Sequence, residues 1–313
     1  MKLDGMHHIT MITGDAPANV AFYADLLGLR MVKKTVNFDA PEAYHLYFGD
    51  EQGSPGSILT WFEFAGARPG RAGAGMIHTI ELAVAGEEAL DFWAQRLAAA
   101  AVETERIDGM LSFADPDGLR LALVVTGAEA AVNPPLRAVH PDVPAEHAIL
   151  GAEGVRAYSG RPLQADRELL VEALGFTELA PGDYLLEGAT RHLHYRYDPS
   201  EERGIPGAGT VHHIAWHSHD EDHEAWQARV RDASMPVTPI IDRDYFHSIY
   251  FREPQGILFE IATTSPGFTV DEDLDHLGEQ LRLPSRHEHL LSQLERSLTP
   301  LVNPRARARE RTR

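Results

Sequence analysis

The sequence predicts an α+β fold made of four βαβββ units, each with one strand, one helix and three further strands. Two observations support this fold. First, segments 73–80 and 207–214 match closely, a relative of both lies at 5–10, and each begins a short apolar run typical of a strand. Second, a helical pattern and three more strand-like runs recur along the chain. The four predicted units span 1–64, 75–126, 147–197 and 209–264.

The first unit contains a helix with clear start and end signals. Asp15 suits the N-cap position, and Pro17 suits the first turn, where a backbone N–H is not needed. Gly28 suits the position just past the helix end. The apolar face of this helix is formed by Phe22, Tyr23, Leu26 and Leu27.

Helices are predicted at the same place in the other three units. The third unit has one from Leu163 to Leu174, which Gly175 closes as Gly28 closes the first helix. The remaining two helices are predicted at about 87–101 and 220–233.

The strand-like runs that follow each helix are short. In the fourth unit they are 237–241, 246–251 and 257–263. A Glu-Pro-Gln-Gly break at 253–256 precedes the last run, and the second unit has a similar Asp-Pro-Asp-Gly break at 115–118. Pro and Gly at this spacing indicate a turn between two strands.

Segments rich in Gly, Pro and Ala separate the units and are interpreted as linkers, at 65–74, 127–146 and 198–208. The stretch 265–313 is a C-terminal extension with an acidic loop, a predicted helix near 286–298 and a basic tail. We interpret the tail as a frayed, solvated terminus.

The composition limits the partners of the protein. Its 313 residues are 43% hydrophobic, which is enough to build real cores. A formal net charge of −19 disfavours binding to nucleic acid or to an anionic membrane surface. The absence of cysteine excludes disulfides and thiolate metal ligands. No signal peptide or membrane span is apparent, so we expect a cytoplasmic protein, and a homo-oligomer is left open.

Two predicted strands carry the same His-His-Ile sequence, at 7–9 and 212–214. Side chains alternate between the faces of a strand, so the two histidines of each pair are expected to point in opposite directions. At most one histidine of each pair is therefore expected to bind a metal directly. The other is expected to support the site or to pack elsewhere.

Glu260 lies in an otherwise apolar run, where a carboxylate is costly to bury unless it is paired or metal-bound. Two histidines and one carboxylate form a facial triad with open positions, as in non-haem Fe(II) oxygenases. In the aligned second unit, Thr79 stands opposite His213. Ala122 stands opposite Glu260. That unit keeps the strands without the ligands, which favours a chemical role for the two residues it lacks.

With these features the sequence resembles the vicinal oxygen chelate superfamily of glyoxalases, bleomycin resistance proteins and extradiol dioxygenases. Within it the chain is similar to the hydroquinone-type ring-cleaving dioxygenases. The likeness rests on the His-His-Ile-Thr opening, the strand 211–215, Arg243, Tyr250, and the Glu-Pro-Gln-Gly turn before Glu260. The segment 267–278 also fits these proteins, so the resemblance covers nearly the whole chain.

The resemblance implies a cofactor, Fe(II), held by His8, His213 and Glu260. It assigns nearby polar roles to His7, Thr10, His212, Arg243 and Tyr250. It also implies that units one and four meet in one curved mixed sheet, while units two and three pair in a second. The implied partners are O₂ and a small aromatic substrate, hydroquinone-like or otherwise dihydroxylated.

The implied reaction inserts both atoms of O₂ beside a ring hydroxyl. His212 or Tyr250 is expected to supply a proton, and Arg243 is expected to stabilise developing negative charge. His7 and Thr10 are expected to orient the metal ligands.

Two other functions remain open. A glyoxalase-type isomerase or lyase would use another divalent metal and a fourth ligand, for which Glu63 is a candidate. A non-catalytic small-molecule-binding protein of the same fold would be expected to lack the complete triad. The sequence does not identify the ring substituents, distinguish hydroquinone from catechol, or determine the native metal. His192 and His194 are interpreted as a solvated strand face rather than a second site.

Overall fold

The computed structural model describes residues 1–126, 136–189 and 191–311, so part of the predicted linker 127–146 lies outside the described residues. The first half of the chain contributes β1 (Met6–Thr13), β2 (Arg30–Val36), β3 (Tyr44–Gly49), β4 (Ile58–Glu63), β5 (Met76–Val84), β6 (Thr104–Ile107), β7 (Met110–Ala114) and β8 (Arg120–Val125). The second half contributes β9 (Ala152–Ser159), β10 (Thr177–Ala180), β11 (Asp183–Glu187), β12 (His192–Pro199), β13 (Val211–His217), β14 (Ile241–Asp242), β15 (His247–Arg252) and β16 (Leu258–Ala262).

These strands form two mixed sheets of eight strands each. The first sheet has the order β14-β15-β16-β13-β1-β4-β3-β2, and its antiparallel pair β1 and β13 joins unit one to unit four. The second has the order β10-β11-β12-β9-β5-β8-β7-β6, and its antiparallel pair β5 and β9 joins unit two to unit three. The predicted α+β fold with paired units is therefore confirmed.

A helix follows the first strand of each unit. These helices are α1 (Ala16–Val20), α2 (Glu87–Ala99), α3 (Gln164–Arg167) and α4 (His223–Asp232), and π-helical turns extend α1 over Ala21–Leu26 and α3 over Glu168–Ala173. Asp15 caps α1 as predicted, because its Oδ1 accepts a hydrogen bond from Ala18 N at 3.0 Å. No helix in the described ranges is long and apolar enough to cross a membrane.

Strand β13, beside the cleft of the first sheet, has one apolar and one polar face. Ile214 and Trp216 of β13 belong to the hydrophobic core, as do Trp93 and Leu97 of α2. The alternate residue of β13, His213, points away from that core. The polar face of the sheet is thereby free to line a cleft.

The predicted strand at 237–241 is wrong for most of its length. Only Ile241–Asp242 forms β14, while Val237 makes an isolated bridge to Phe251. Pro239 has no backbone N–H, so the chain cannot continue a regular strand ladder through this position.

The predicted linkers 65–74 and 198–208 lie side by side and pair through their backbones. Arg71 N donates to Ile205 O, and Ile205 N donates to Arg71 O, each at 2.8 Å. A side chain at Gly73 would clash with the backbone of the facing segment. Glycine is needed here because two backbones come into close contact.

The C-terminal extension packs on the first sheet. It contains α5 (Leu291–Ser297), α6 (Pro304–Arg311) and 3₁₀ turns at Phe268–Val270, Leu274–His276 and Ser285–Leu290. Lys33 Nζ, fully buried on β2, lies 2.6 Å from both Asp271 Oδ1 and Glu272 Oε2. Asn303 Nδ2 donates to Met31 O at 3.1 Å. These contacts hold both ends of the extension on β2.

The interpretation of the basic tail as a frayed terminus is wrong as far as Arg311. The segment forms α6, and Arg305 NH1 donates to Glu51 Oε2 at 2.8 Å. Arg307 NH2 donates to Asp25 Oδ1 at 2.9 Å. The acidic surface of unit one supplies the partners for these arginines, and residues 312–313 lie outside the described residues.

Candidate metal centre

Three strands of the first sheet bring His8, His213 and Glu260 together. β1 carries His8, β13 pairs with it and carries His213, and β16 carries Glu260 on the other side of β13. The two histidine Nε2 atoms are 3.2 Å apart, and Glu260 Oε2 lies 3.3 Å from the first and 2.9 Å from the second. All three side chains are buried. Their donor atoms form a group that could hold a metal ion.

Glu260 reaches the cleft because its neighbours on β16 face the other way. Phe259 and Ile261 are fully buried in the hydrophobic core, and side chains alternate along a strand. Ser248 on the adjacent β15 donates a hydrogen bond to Glu260 Oε1 at 2.5 Å. This bond orients the carboxylate and leaves Oε2 beside the histidines.

The electrostatics favour the protonation states that bind a metal. Burial alone would raise the pKa of Glu260, but the nearby His8 and His213 hold it well below its usual value. Burial lowers the pKa of His213, against the opposing effect of Glu260. An ionised carboxylate and a neutral imidazole are the forms that coordinate a cation.

The donor set fits a divalent cation. Among the described residues, Glu260 Oε2 has no partner with hydrogen-bond geometry, although His213 Nε2 is only 2.9 Å away. Closeness without hydrogen-bond alignment satisfies neither atom. A cation would satisfy this buried oxygen and both imidazoles together. Since all three residues line one cavity, further coordination positions would face it.

Both His-His pairs occur at β-bulges. The register of β1 with β13 shifts twice, and the extra residues are His7 on β1 and His212 on β13. His7 Nδ1 lies 2.8 Å from His8 Nδ1. His212 Nδ1 lies 2.7 Å from His213 Nδ1. The prediction that paired histidines point to opposite faces is wrong, because a bulge re-aims the side chain of the extra residue.

The two bulge histidines have different surroundings. His7 is buried, with its ring 5.1 Å from that of Phe246 and 6.1 Å from that of His217. His212 is exposed, lines the cavity and contacts the edge of Phe62. Of the two, His212 is the one that faces the space a substrate would fill.

A chain of polar groups leads from His213 to the opposite wall of the cleft. Thr10 Oγ1 lies 2.9 Å from His213 Nε2 and accepts a hydrogen bond from Thr60 Oγ1 at 3.1 Å. His45 Nε2 lies 2.7 Å from Thr60 Oγ1, and Tyr47 OH lies 2.9 Å from His45 Nδ1. Sequence reasoning singled out Thr10 and missed the other three. The sequence gives little indication that these three residues belong to the site. Alternation along a strand indicates only that His45 and Tyr47 share a face.

The cleft contains a cavity of about 250 Å³. An apolar cavity of roughly 150 Å³ is large enough to hold benzene, so this one has room for a single substituted ring. Its aromatic lining residues are Phe38, Phe62, Phe64, Tyr245, Phe246 and Tyr250. Its polar lining residues, besides the three candidate ligands, are Thr35, Asn37, Asp39, His45, Tyr47, His212 and Arg243.

Arg243 and Tyr250 lie together on one wall of the cavity. Arg243 Nε donates to Tyr250 OH at 3.2 Å, and its guanidinium lies 4.9 Å from the Phe38 ring centre. Arg243 NH1 also lies 3.2 Å from Asp39 Oδ2. Burial, with a further contribution from Glu260, raises the pKa of Tyr250 well above its usual value. The phenol therefore keeps its proton.

Glu63 lies away from the candidate ligands. Its Oε1 accepts a hydrogen bond from Ala16 N at 3.0 Å, at the start of α1. In unit four, Glu260 pairs with Ala215, two positions after His213. In unit one, Thr60 pairs with Thr10, two positions after His8. Thr60 therefore occupies the position in unit one that Glu260 occupies in unit four.

In the described part of the chain, the second sheet carries ion pairs on its polar face instead of a cluster of candidate ligands. Glu81 Oε2 accepts from Arg196 NH1 at 2.7 Å. His192 Nε2 lies 3.0 Å from Glu153 Oε1, and His194 Nδ1 lies 3.7 Å from Asp183 Oδ1. Both histidines are half-buried rather than fully solvated. Within the described residues, the metal-type cluster comprises His8, His213 and Glu260 and includes neither.

Comparison with known proteins agrees with this geometry. The profile of the Glyoxalase/Bleomycin resistance protein/Dioxygenase superfamily matches residues 5–123 and 163–261. MhqO of Bacillus subtilis (strain 168), provisionally named a ring-cleaving dioxygenase, is 41% identical over 96% of this chain and 97% of its own. The chlorohydroquinone/hydroquinone 1,2-dioxygenase of Sphingobium indicum is 32% identical over 96% of this chain and 98% of its own. A crystal structure from Bacillus subtilis, provisionally titled a dioxygenase, superposes with a TM-score of 0.88 at 39% identity, covering 96% of this chain and 98% of that one.

Proposed function

This chain belongs to the Glyoxalase/Bleomycin resistance protein/Dioxygenase superfamily, and from that premise we propose that it is an Fe(II)-dependent dioxygenase that cleaves hydroquinone-like rings. The observation that carries the proposal is the buried cluster of His8, His213 and Glu260 beside a ring-sized cavity. The named hydroquinone dioxygenase, 32% identical over 96% of this chain, supports this substrate class.

His8, His213 and Glu260 would hold the iron. When bound, Fe(II) supplies the one-electron chemistry that lets O₂ react with an aromatic ring. A carboxylate and two neutral imidazoles leave one net positive charge on the centre, which favours an ionised ring hydroxyl as a ligand. Thr10 Oγ1 lies 2.9 Å from His213 Nε2, so the Thr10 side chain would pack beside this imidazole and limit its orientation.

The bulge histidines would determine which imidazole nitrogen carries a proton. If His213 binds metal through Nε2, its Nδ1 carries a proton and donates to His212 Nδ1. The proton of His212 is then on Nε2, from which this imidazole can donate a hydrogen bond to an oxygen in the cavity. His7 would fix His8 in the same way but from a buried position.

Tyr250 is the alternative proton donor. Its oxygen accepts from Arg243 Nε, so its own O–H remains available to an oxygen in the cavity. The Arg243 guanidinium beside Tyr250 would stabilise negative charge on the oxygen in the cavity. Thr60 in the position of a fourth ligand argues against a four-ligand isomerase site, because a hydroxyl does not supply the charge of a carboxylate.

The proposed function is tested by loading the protein with Fe(II) without oxygen and measuring O₂ uptake after adding hydroquinone or catechol. We expect uptake with hydroquinone, at one O₂ per ring consumed, and slower uptake with catechol. Iron-loaded protein that binds hydroquinone but takes up no O₂ would refute the proposal. Protein loaded with Zn²⁺ serves as the control, because Zn²⁺ has no redox chemistry.

A further inference from the structure

Thr35 is a buried polar residue of the cavity with no assigned role. It lies on β2 directly opposite His45 of β3, and opposed residues of antiparallel strands project to the same face. Its side chain is 2% exposed, and its hydroxyl oxygen has no hydrogen-bond partner among the described residues. A buried hydroxyl without a partner is unfavourable, so a ligand that pairs with it gains affinity.

Tyr47 offers a hydrogen-bond acceptor on the same wall. Thr60 donates to Thr10, so Thr60 accepts from the Nε2–H of His45. Burial lowers the pKa of His45 well below its usual value, which leaves its Nδ1 unprotonated. That nitrogen accepts the Tyr47 O–H. The lone pairs of the Tyr47 oxygen are then the groups that remain available.

A ring hydroxyl complements these two groups, because it has one proton to donate and lone pairs to accept. Thr35 and Tyr47 are diagonal neighbours across β2 and β3, and the long Tyr47 side chain can reach a hydroxyl that is bound beside Thr35. Their wall is β3 and β2, while the candidate ligands lie on β1, β13 and β16 of the same curved sheet. A group held here is separated from the candidate ligands by β4.

We propose that Thr35 and Tyr47 form a subsite for a second ring hydroxyl, so that the cavity selects rings whose two hydroxyls lie on opposite sides. This inference rests on the proposed function, because one hydroxyl must be at the metal. A catechol places both hydroxyls side by side at the metal and leaves the subsite empty. Hydroquinone fills both positions.

The subsite is tested with the anaerobic Fe(II)-loaded protein by calorimetric titration with hydroquinone and with phenol, which lacks the second hydroxyl. We expect Thr35→Val to weaken hydroquinone binding about 3- to 10-fold and phenol binding less than about 2-fold. Thr35→Ser keeps the hydroxyl and should retain the wild-type preference. Equal weakening of both ligands by Thr35→Val, or no weakening, would overturn the subsite.

A melting curve separates this role from a structural one. Thr35→Val replaces an unpaired hydroxyl with a methyl group of similar shape, so the melting temperature should stay the same or rise. A clear fall would show that the hydroxyl supports the fold and would count against the proposal. If Thr35→Val selectively weakens hydroquinone binding but the wild-type protein takes up no O₂, the dioxygenase proposal fails while the subsite stands. If O₂ is taken up and Thr35→Val keeps the preference, the subsite alone fails.

Discussion

At the scale of single residues, the candidate site depends on three side chains that would be costly to bury separately. An isolated buried carboxylate such as Glu260 is strongly unfavourable, and Ser248 satisfies only one of its oxygens. The other oxygen and the two Nε2 atoms face one another. A cation between them is the simplest way to satisfy all three groups.

Replacing His213 tests this arrangement. We expect His213→Ala to lower bound iron by at least about 10-fold and to abolish O₂ uptake, because a metal site loses a large part of its affinity with one ligand. Iron content by elemental analysis and O₂ uptake by electrode are the measurements. His219→Ala changes an exposed histidine outside the cluster and should leave both unchanged. A His213→Ala protein with full iron and full uptake would exclude this residue as a ligand.

Tyr250 tests proton donation separately from metal binding. Tyr250→Phe removes the hydroxyl that accepts from Arg243 but keeps the ring. If Tyr250 is the donor, kcat should fall about 100-fold or more while iron content stays at the wild-type level. His212→Gln, measured in parallel, should then have the smaller effect. The opposite order would transfer the role to His212.

At the scale of elements, the β-bulges and the turns before the last strands position the site. The bulges bring His7 against His8 and His212 against His213, which a regular strand could not do. The turn at 253–256 fixes the start of β16, since Glu253 Oε1 accepts from Ile257 N at 2.7 Å. The equivalent turn at 115–118 uses Asp115, which accepts from Leu119 N at 2.8 Å.

The turn before β16 should make stability depend on pH. Burial, followed by hydrogen bonding with Asp166, raises the pKa of Glu253 to about 8 from a usual value of 4.5. The folded protein therefore holds a proton that the unfolded chain releases above pH 4.5. Stability from this group is fully present below pH 4.5 and is lost as pH rises toward and through 8.

Glu253→Gln should flatten this dependence, because the amide has no titratable proton. The measurement is the free energy of unfolding by urea between pH 5 and 9. Glu224→Gln changes an exposed carboxylate of α4 and should keep the wild-type slope. A Glu253→Gln protein that loses stability with pH as steeply as the wild type would contradict the assignment.

At the scale of the whole molecule, the two sheets differ in chemistry although their topology is the same. The first holds the candidate ligands, whereas the second has Thr79 and Ala122 opposite His213 and Glu260 and carries ion pairs on its polar face. The extension connects to the first sheet through Lys33. Tyr245, which lines the cavity, donates to Asp271 Oδ2 at 2.9 Å, so the same contact supports the cavity wall.

Lys33→Ala should release the extension. It leaves the buried Glu272 without its cation, and breaking a buried pair in this way costs about 3–5 kcal/mol. We expect lower stability in urea and faster proteolysis within 265–300. Glu202→Ala removes an exposed pair with Arg71 and should cost less than about 1 kcal/mol. Equal stability of the two variants would show that Lys33 does not anchor the extension.

The sequence patterns were enough to predict the fold class, and the resemblance to a known superfamily added the pairing of units. Strand, helix and turn signals are local, and their repetition reveals the architecture before any long-range contact is known. The sequence also singled out His8, His213 and Glu260, because a repeated His-His-Ile and a carboxylate in an apolar run are unusual in themselves. The sequence did not predict that the basic tail is ordered, because Arg305 contacts its partner Glu51 only in the folded chain.

Only the tertiary structure decided how the histidines of each pair are arranged. A bulge is a mismatch between two strands, so neither His-His-Ile strand contains the information by itself. The sequence also does not show that Thr35 and Tyr47 are close together, because they become neighbours only through the pairing of β2 with β3. Local patterns determine which elements form and which residues are chemically unusual, whereas the register between distant strands determines which of those residues meet.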